Sequence, residues 1–244
     1  MGYDFRPFWR DYKAEFSRAQ HRKCGYCESV VIGVCVGDVE HYRPKGAVDE
    51  LPGDKRRWGR ERPDLSTVEG RDLDRVCDHG YWWYAWEWTN YLLACQVCNQ
   101  FWKLCLFPVI EHPRCAPPRT EVWETPLLLN PFDGEDPVNH LHFDVIGQID
   151  AWEQSEHGRA TIDTCGLDRE TLRAGREHVA KQVYPLTEQF LIAFSEDDLD
   201  RVHEIRGSLR HLGNPKAPHA GMVRAIFEHE TGWSWTEVVE EEDP

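Results

Sequence analysis

The chain has 244 residues, 41% of them hydrophobic, with 11 Trp and 10 Phe, and this supply of apolar side chains excludes a disordered protein. No run of about 18 apolar residues and no basic and apolar leader is found, so we expect no membrane span, no export and a cytoplasmic location. The net charge of -15 excludes a protein that grips nucleic acid over its whole surface, because that affinity comes mainly from neutralised phosphates. Lys and Arg concentrate between residues 43 and 75. Either this segment binds a substrate locally, or a partner protein supplies the affinity for it.

The first 80 residues predict a helix, an extended segment and an irregular insertion. Residues 3–22 carry aromatic side chains at helical spacing, which predicts an amphipathic helix. A β-branched run over residues 29–42 predicts extended structure with a turn, and it places His41 at the end of a strand. Residues 44–80 are charged, rich in Gly and Pro and weakly periodic, which predicts a long irregular insertion.

An aromatic block opens the next stretch. Residues 81–88 predict a short buried helix, residues 91–95 a strand, and residues 99–105 a helix that must stop by Pro108. Packing is the favoured interpretation of the block, and stacking against the bases of single-stranded nucleic acid is the alternative.

The second half predicts short strands followed by three helices. The strands are expected at residues 127–130, 141–143 and 148–149. The helices are expected at residues 168–194 with a possible break at Pro185, at 196–212 between Ser195 as N-cap and Gly213, and at 219–230. His140 and His142 alternate as on one strand face, where a solvated surface is favoured over metal ligation.

Four of the nine cysteines form two Cys-x-x-Cys pairs, Cys24 with Cys27 and Cys95 with Cys98. Two such pairs can surround one zinc ion with four thiolates, which closes a tetrahedral structural site and joins segments that are distant in sequence. Incidental cysteines are the alternative. The remaining five are interpreted as buried free thiols: Cys35, Cys77, Cys105, Cys115 and Cys165.

Polar residues of a recognisable kind follow each cysteine pair. The first pair lies in Cys24-Gly25-Tyr26-Cys27-Glu28 and precedes Glu40-His41-Tyr42-Arg43-Pro44-Lys45, and the second is followed directly by Asn99. These stretches resemble the HNH endonuclease family, and more narrowly its branch in Septu-type and retron-associated anti-phage defence nucleases. Further likeness to that branch is found in Leu127-Leu128-Leu129-Asn130-Pro131-Phe132-Asp133, Thr161-Ile162 and Gly166-Leu167-Asp168-Arg169.

The resemblance implies a role for each polar residue. His41 is the general base, Glu40 and Asn99 supply oxygens to a catalytic Mg²⁺ or Mn²⁺, and Asn90 holds the loop around the base. The family more often has Asp or His where Glu40 stands. The candidate phosphate contacts are Arg43, Lys45 and Lys103, although salt bridges to Glu28 or Asp38 explain Arg43 and Lys45 equally well.

The resemblance also implies a fold and an activity. We expect an α+β protein in which residues 1–110 form a zinc-stapled ββα-metal (HNH/His-Me finger) nuclease core with an N-terminal helix, and residues 111–244 a mainly helical region with small strands. The implied function is hydrolysis of phosphodiester bonds in DNA, as the effector of a defence system with an ATPase partner. Two alternatives stay open, an RNase that acts on structured RNA such as tRNA and a catalytically inactive, zinc-stapled interaction module.

Overall fold

A computed structural model describes residues 8–31, 37–51, 73–110, 115, 124–132 and 134–240. The chain divides into two compact units, of which the first comprises Met1–Glu135 with Glu156–Leu167, and the second Asp136–Ser155 with Asp168–Pro244. The division differs from the expected boundary after residue 110, because later segments are buried in the first unit. Helix α2 (Glu156–Cys165) is the clearest of these.

The described part of the chain opens with a helix. A 3₁₀ turn at Phe8–Tyr12 continues into α1 at Lys13–Ala19, which confirms the predicted helix over these positions, while residues 3–7 lie outside the described part of the chain.

The side chain of Gln20, just after α1, binds the backbone of Leu93. Its Nε2 donates to the Leu93 carbonyl at 2.9 Å, and its Oε1 accepts from the Leu93 N–H at 2.6 Å. The amide group therefore occupies the hydrogen-bonding position of a neighbouring strand.

Two antiparallel strands form the centre of the first unit. β1 (Gly37–His41) pairs with β4 (Tyr91–Cys95), in a register that aligns Gly37 with Cys95 and His41 with Tyr91. All five residues of β4 are buried. The π-helical segment Val97–Lys103 follows β4, so that strand, strand and helix come in the predicted order. The strand at residues 91–95 and the position of His41 at a strand end are both confirmed.

The segment between these strands is more regular than predicted. β2 (Val48–Glu50) and β3 (Asp74–Cys77) pair in antiparallel fashion, so the expectation of an irregular insertion was wrong at these positions, and residues 52–72 lie outside the described part of the chain. Long-range pairing supplies the order that the weak local periodicity does not indicate.

The cysteines outside the two pairs do not share one state. Cys77 and Cys115 form a disulfide, so the prediction of free thiols was wrong for these two residues. Cys105 is a free thiol as predicted, but it is half-buried rather than buried. Cys165 is buried, and Cys35 lies outside the described residues.

Helix α2 was not predicted. It packs against the Val97–Lys103 helix and buries polar as well as apolar side chains, which removes the hydrophobic periodicity that would have indicated a helix. One of these polar groups is the Thr161 hydroxyl, which accepts a 2.8 Å bond from the Leu129 N–H. Such bonds hold residues 127–130 as irregular chain, so the strand predicted there was wrong.

Gly166 ends α2 in contact with Trp102, and only glycine fits there. Its φ is +59°, and a Cβ would lie 1.9 Å from the Trp102 ring. Gly166→Ala is therefore expected to lower the free energy of unfolding by about 2–4 kcal/mol, through backbone strain and overpacking. Gly207→Ala is the matched control, since it lies within α4 with open space around it and should stabilise by about 0.5–1 kcal/mol. Urea unfolding measures both, and equal effects would contradict the packing argument.

The second unit combines a small hairpin with three long helices. The hairpin and the helices, numbered on from above, are β5 (Leu141–Phe143), β6 (Ile149–Ala151), α3 (Glu170–Ser195), α4 (Leu199–Leu212) and α5 (Ala220–Thr231). α3 packs against both α4 and α5. The three predicted helices are confirmed, with two corrections. α3 continues through Pro185, and α4 is capped by the Asp198 carboxylate rather than by Ser195. No helix of the described residues combines the length and apolar character needed to cross a membrane.

Candidate metal and catalytic centre

The two Cys-x-x-Cys pairs meet in one buried cluster. The sulfur atoms of Cys24, Cys27, Cys95 and Cys98 all lie within 4.8 Å of one another, and the Cys27 and Cys95 sulfurs are 3.9 Å apart. A tetrahedral zinc ion with bonds of about 2.3 Å holds its sulfurs about 3.8 Å apart. The donor set and its spacing therefore fit a metal ion such as zinc.

Burial of the cluster favours a bound cation. Burial, together with hydrogen bonds to Cys27 and Cys95, raises the pKa of the Cys24 thiol, whereas hydrogen bonds with neighbouring cysteines lower the pKa of Cys27 and of Cys95. A divalent ion reverses this balance, since it binds the deprotonated sulfur. Because Cys95 ends β4 and Cys24 follows α1, a metal here would join α1 to the sheet.

His41 lies in an aromatic pocket at the other end of the β1–β4 pair from Cys95. Its Nε2 donates to the Ala85 carbonyl at 3.2 Å, and its ring contacts those of Trp9 and Tyr91 at centroid distances of 4.6 and 4.9 Å. Burial, followed by the positive charge of Lys45, lowers the pKa of His41 to about 3. The imidazole is thus oriented and neutral, and its Nδ1 carries the lone pair.

Glu40 is paired with a fully buried lysine. Its Oε1 lies 2.5 Å from the Lys103 Nζ, which also donates to the His41 carbonyl at 3.1 Å. Burial raises the pKa of the Glu40 carboxyl, and the adjacent ammonium opposes that shift. Lys103 is 0% exposed, so the predicted contact with phosphate would require this ion pair to open.

Lys103→Met is expected to lower the free energy of unfolding by about 3–5 kcal/mol, because it leaves the Glu40 carboxylate buried and unpaired. Adding Glu40→Gln should recover much of the loss, which a double-mutant cycle of urea unfolding measures. Lys181→Met is the matched control, since Lys181 also pairs with a glutamate but is 61% exposed, and it should change stability by at most about 1 kcal/mol. Simple additivity of the two changes in the cycle would show that the pair does not interact.

Asn90 closes the loop that follows His41. Its Oδ1 accepts from the Arg43 N–H at 2.7 Å, and its Nδ2 donates to the carbonyls of Arg43 and Tyr84 at 3.1 Å each. The Arg43 guanidinium lies within 5.3 Å of the ring centroids of Tyr81, Tyr84 and Phe107. These cation–π contacts hold the Arg43 side chain within the loop. They give its positive charge a partner inside the protein, so a phosphate contact is not needed to explain the residue.

Among the three predicted phosphate contacts, Lys45 is the one whose positive charge acts most strongly on His41. Its Nζ lies 4.8 Å from the Trp9 ring centroid, and burial lowers its pKa while Glu40 opposes that shift. Gly80 supports its loop, since a Cβ there would lie 2.6 Å from the Pro44 carbonyl oxygen.

Asn99 contacts a carboxylate that the sequence reasoning did not assign to the metal. Its Nδ2 lies 3.5 Å from Asp38 Oδ2, to which Gln100 also donates at 2.7 Å. Asp38 and Glu40 are two residues apart on β1, and therefore on one face of the strand. This alternation is the sequence signal that could have identified Asp38. Trp9, one of the aromatic residues of the predicted N-terminal helix, was not predicted as a contact of His41 and carried no such signal.

The fold and the centre define a mixed helix and small-sheet protein with a four-cysteine cluster that can hold a metal. No family model and no solved structure matches the chain. It is 31% identical over 224 residues to the Septu protein PtuB of Bacillus mycoides (strain KBAB4), a match that covers 84% of this chain and 69% of that protein. The chain therefore belongs to the Septu PtuB family, which supports a role in Septu defence and a partner within that system.

Proposed function

We propose that this chain is a metal-dependent HNH endonuclease that hydrolyses phosphodiester bonds in DNA as the effector of an anti-phage defence system. The observation that carries the proposal is the placement of Glu40 and His41 at the end of β1, where Lys103 of the helix after β4 donates to the Glu40 carboxylate and to the His41 backbone carbonyl. This order of strand, strand and helix agrees with the ββα-metal core that the resemblance implies.

Under this proposal, His41 takes the proton of the attacking water. Nε2–H is committed to the Ala85 carbonyl, which leaves Nδ1 to accept that proton. The contacts with Trp9 and Tyr91 fix the ring before substrate arrives, so that little reorganisation is needed. Asn90 keeps the loop after His41 closed around it.

A bound Mg²⁺ or Mn²⁺ would neutralise charge on the scissile phosphate and the departing 3′-oxygen. Glu40 and Asn99 would hold the ion, with Asp38 as an adjoining carboxylate, and these oxygen donors are the kind that such hard cations prefer. The four cysteines would hold zinc, whose closed coordination gives it a structural role.

An ATPase partner fits the charge of the chain. The net charge is -15, and Arg43 and Lys103 are engaged in contacts inside the protein. Of the three candidate phosphate contacts, Lys45 therefore supplies the positive charge near His41. Neutralisation of phosphates is therefore weak, and delivery by a partner compensates for it.

The test is cleavage of supercoiled plasmid and of total tRNA by the purified chain, alone and with its ATPase partner, with Mg²⁺, Mn²⁺ or no added divalent ion. We expect metal-dependent nicked or linear plasmid and intact tRNA. Cleavage of tRNA alone would establish the RNase alternative, and cleavage of neither substrate in any mixture would establish the inactive module.

A further inference from the structure

We propose that the Trp88 ring, packed edge to face against Tyr12, is a stacking platform for an unpaired nucleobase one aromatic ring away from His41, so that the strand that is cut has single-stranded character. This inference rests on the proposed nuclease function and adds a substrate class to it. The name Trp88 platform is used below for these two residues.

The platform is exposed although both residues are large and aromatic. Trp88 is 51% and Tyr12 43% exposed, and their rings meet edge to face with centroids 5.0 Å apart. Trp86, two residues before Trp88, is 48% exposed. Neighbouring exposed rings of this size offer an apolar surface on which a flat base could stack.

The platform is also rigid. The Trp88 ring contacts those of Phe8, Phe16 and Tyr91 at centroid distances of 6.2, 5.7 and 5.9 Å. Because these contacts fix the ring before any ligand arrives, stacking would cost little conformational entropy.

One aromatic ring connects the platform to the catalytic histidine. Tyr91 contacts Trp88 at 5.9 Å and His41 at 4.9 Å, and its hydroxyl shares the Ala85 carbonyl with His41. The turn Trp88–Asn90 ends on the residue that closes the loop after His41. A base on the platform would therefore belong to a nucleotide close to the scissile phosphate.

Charge decides which interaction can hold the substrate here. The chain has a net charge of -15. Two of the three predicted phosphate contacts are already engaged, Arg43 by cation–π contacts and Lys103 by its ion pair with Glu40. Stacking requires no positive charge and tolerates any base. It also requires that the base has left a duplex, because paired bases already stack on one another.

The test measures binding without cleavage, in a His41→Ala background with Ca²⁺. Two fluorescent probes are used, a 20-nucleotide single strand of mixed sequence and the blunt duplex of that strand with its complement. Trp88→Ala should lower the affinity for the single strand by about 5- to 150-fold and change the affinity for the duplex by less than about threefold. Trp88→Phe should restore most of the affinity, and its zinc content should match that of the parent.

Phe194→Ala is the matched control, because Phe194 is an aromatic residue of α3 that is 54% exposed and contacts Trp233 instead. It should leave both affinities unchanged. The slope of log Kd against log salt should be the same in all variants, since stacking releases no counterions. A change in that slope for Trp88→Ala would overturn the proposal.

Three further results would overturn the platform. Trp88→Ala could bind the single strand with unchanged affinity, or it could bind the single strand and the duplex with equally reduced affinity. It could also lose only its binding to the ATPase partner, with both nucleic-acid affinities unchanged. Failure of the nuclease proposal has a separate readout, because cleavage by wild type and His41→Ala at equal rates would remove the catalytic role and leave the binding difference measurable.

Discussion

Cys95→Ser is expected to unfold the first compact unit. The substitution removes one of four buried sulfurs that converge within 4.8 Å, and Cys95 is also the last residue of β4. Structural zinc sites contribute on the order of 10–16 kcal/mol, which is comparable with the whole stability of a domain. Elemental analysis should find one zinc per wild-type chain and far less in the variant, and circular dichroism should show the loss of ordered structure.

The control for this experiment is Cys105→Ser. Cys105 is a free, half-buried thiol that is not part of the four-cysteine cluster, so its replacement should leave both zinc content and melting temperature near those of wild type. Unchanged stability of Cys95→Ser would show that the cluster is not a structural metal site. Removal of zinc from wild type by a strong chelator should reproduce the effect of Cys95→Ser.

His41→Ala is expected to reduce the rate of metal-dependent plasmid cleavage by about 10²- to 10⁴-fold, the usual contribution of a general base. The substitution removes the ring nitrogen proposed to accept the proton of the attacking water, while the Glu40–Lys103 ion pair next to it is retained. The rate should be measured under single-turnover conditions with saturating Mg²⁺, where product release does not limit it.

His178→Ala is the matched control, since His178 is an exposed histidine of α3. It should cleave at the wild-type rate. If His41→Ala kept that rate with unchanged zinc content, His41 could not be the base, and the neutral imidazole would have only a packing role against Trp9 and Tyr91.

Local patterns predicted the parts of the centre that depend on neighbours in sequence. The short apolar run at residues 91–95 indicated a strand and the two identical cysteine spacings indicated a metal cluster, and the structure brings the four sulfurs together. The position of His41 at a strand end followed from the β-branched run that precedes it.

Long-range contacts account for what could not be predicted. The Lys103–Glu40 pair joins residues 63 positions apart, and its lysine was expected at the surface because buried lysines are rare. Helix α2 buries polar groups such as the Thr161 hydroxyl, whose partner lies 32 residues away. The Cys77–Cys115 disulfide joins cysteines that share no spacing pattern.

The Gln20 amide has a consequence for the central sheet, which has only two strands among the described residues. An open outer edge of β4 would offer the Leu93 N–H and carbonyl to any extended segment of another molecule. Gln20 satisfies both groups from within the same chain, at 2.6 and 2.9 Å. This side chain, together with the Gly25 N–H that donates to the same carbonyl at 2.8 Å, therefore opposes self-association by strand addition along β4.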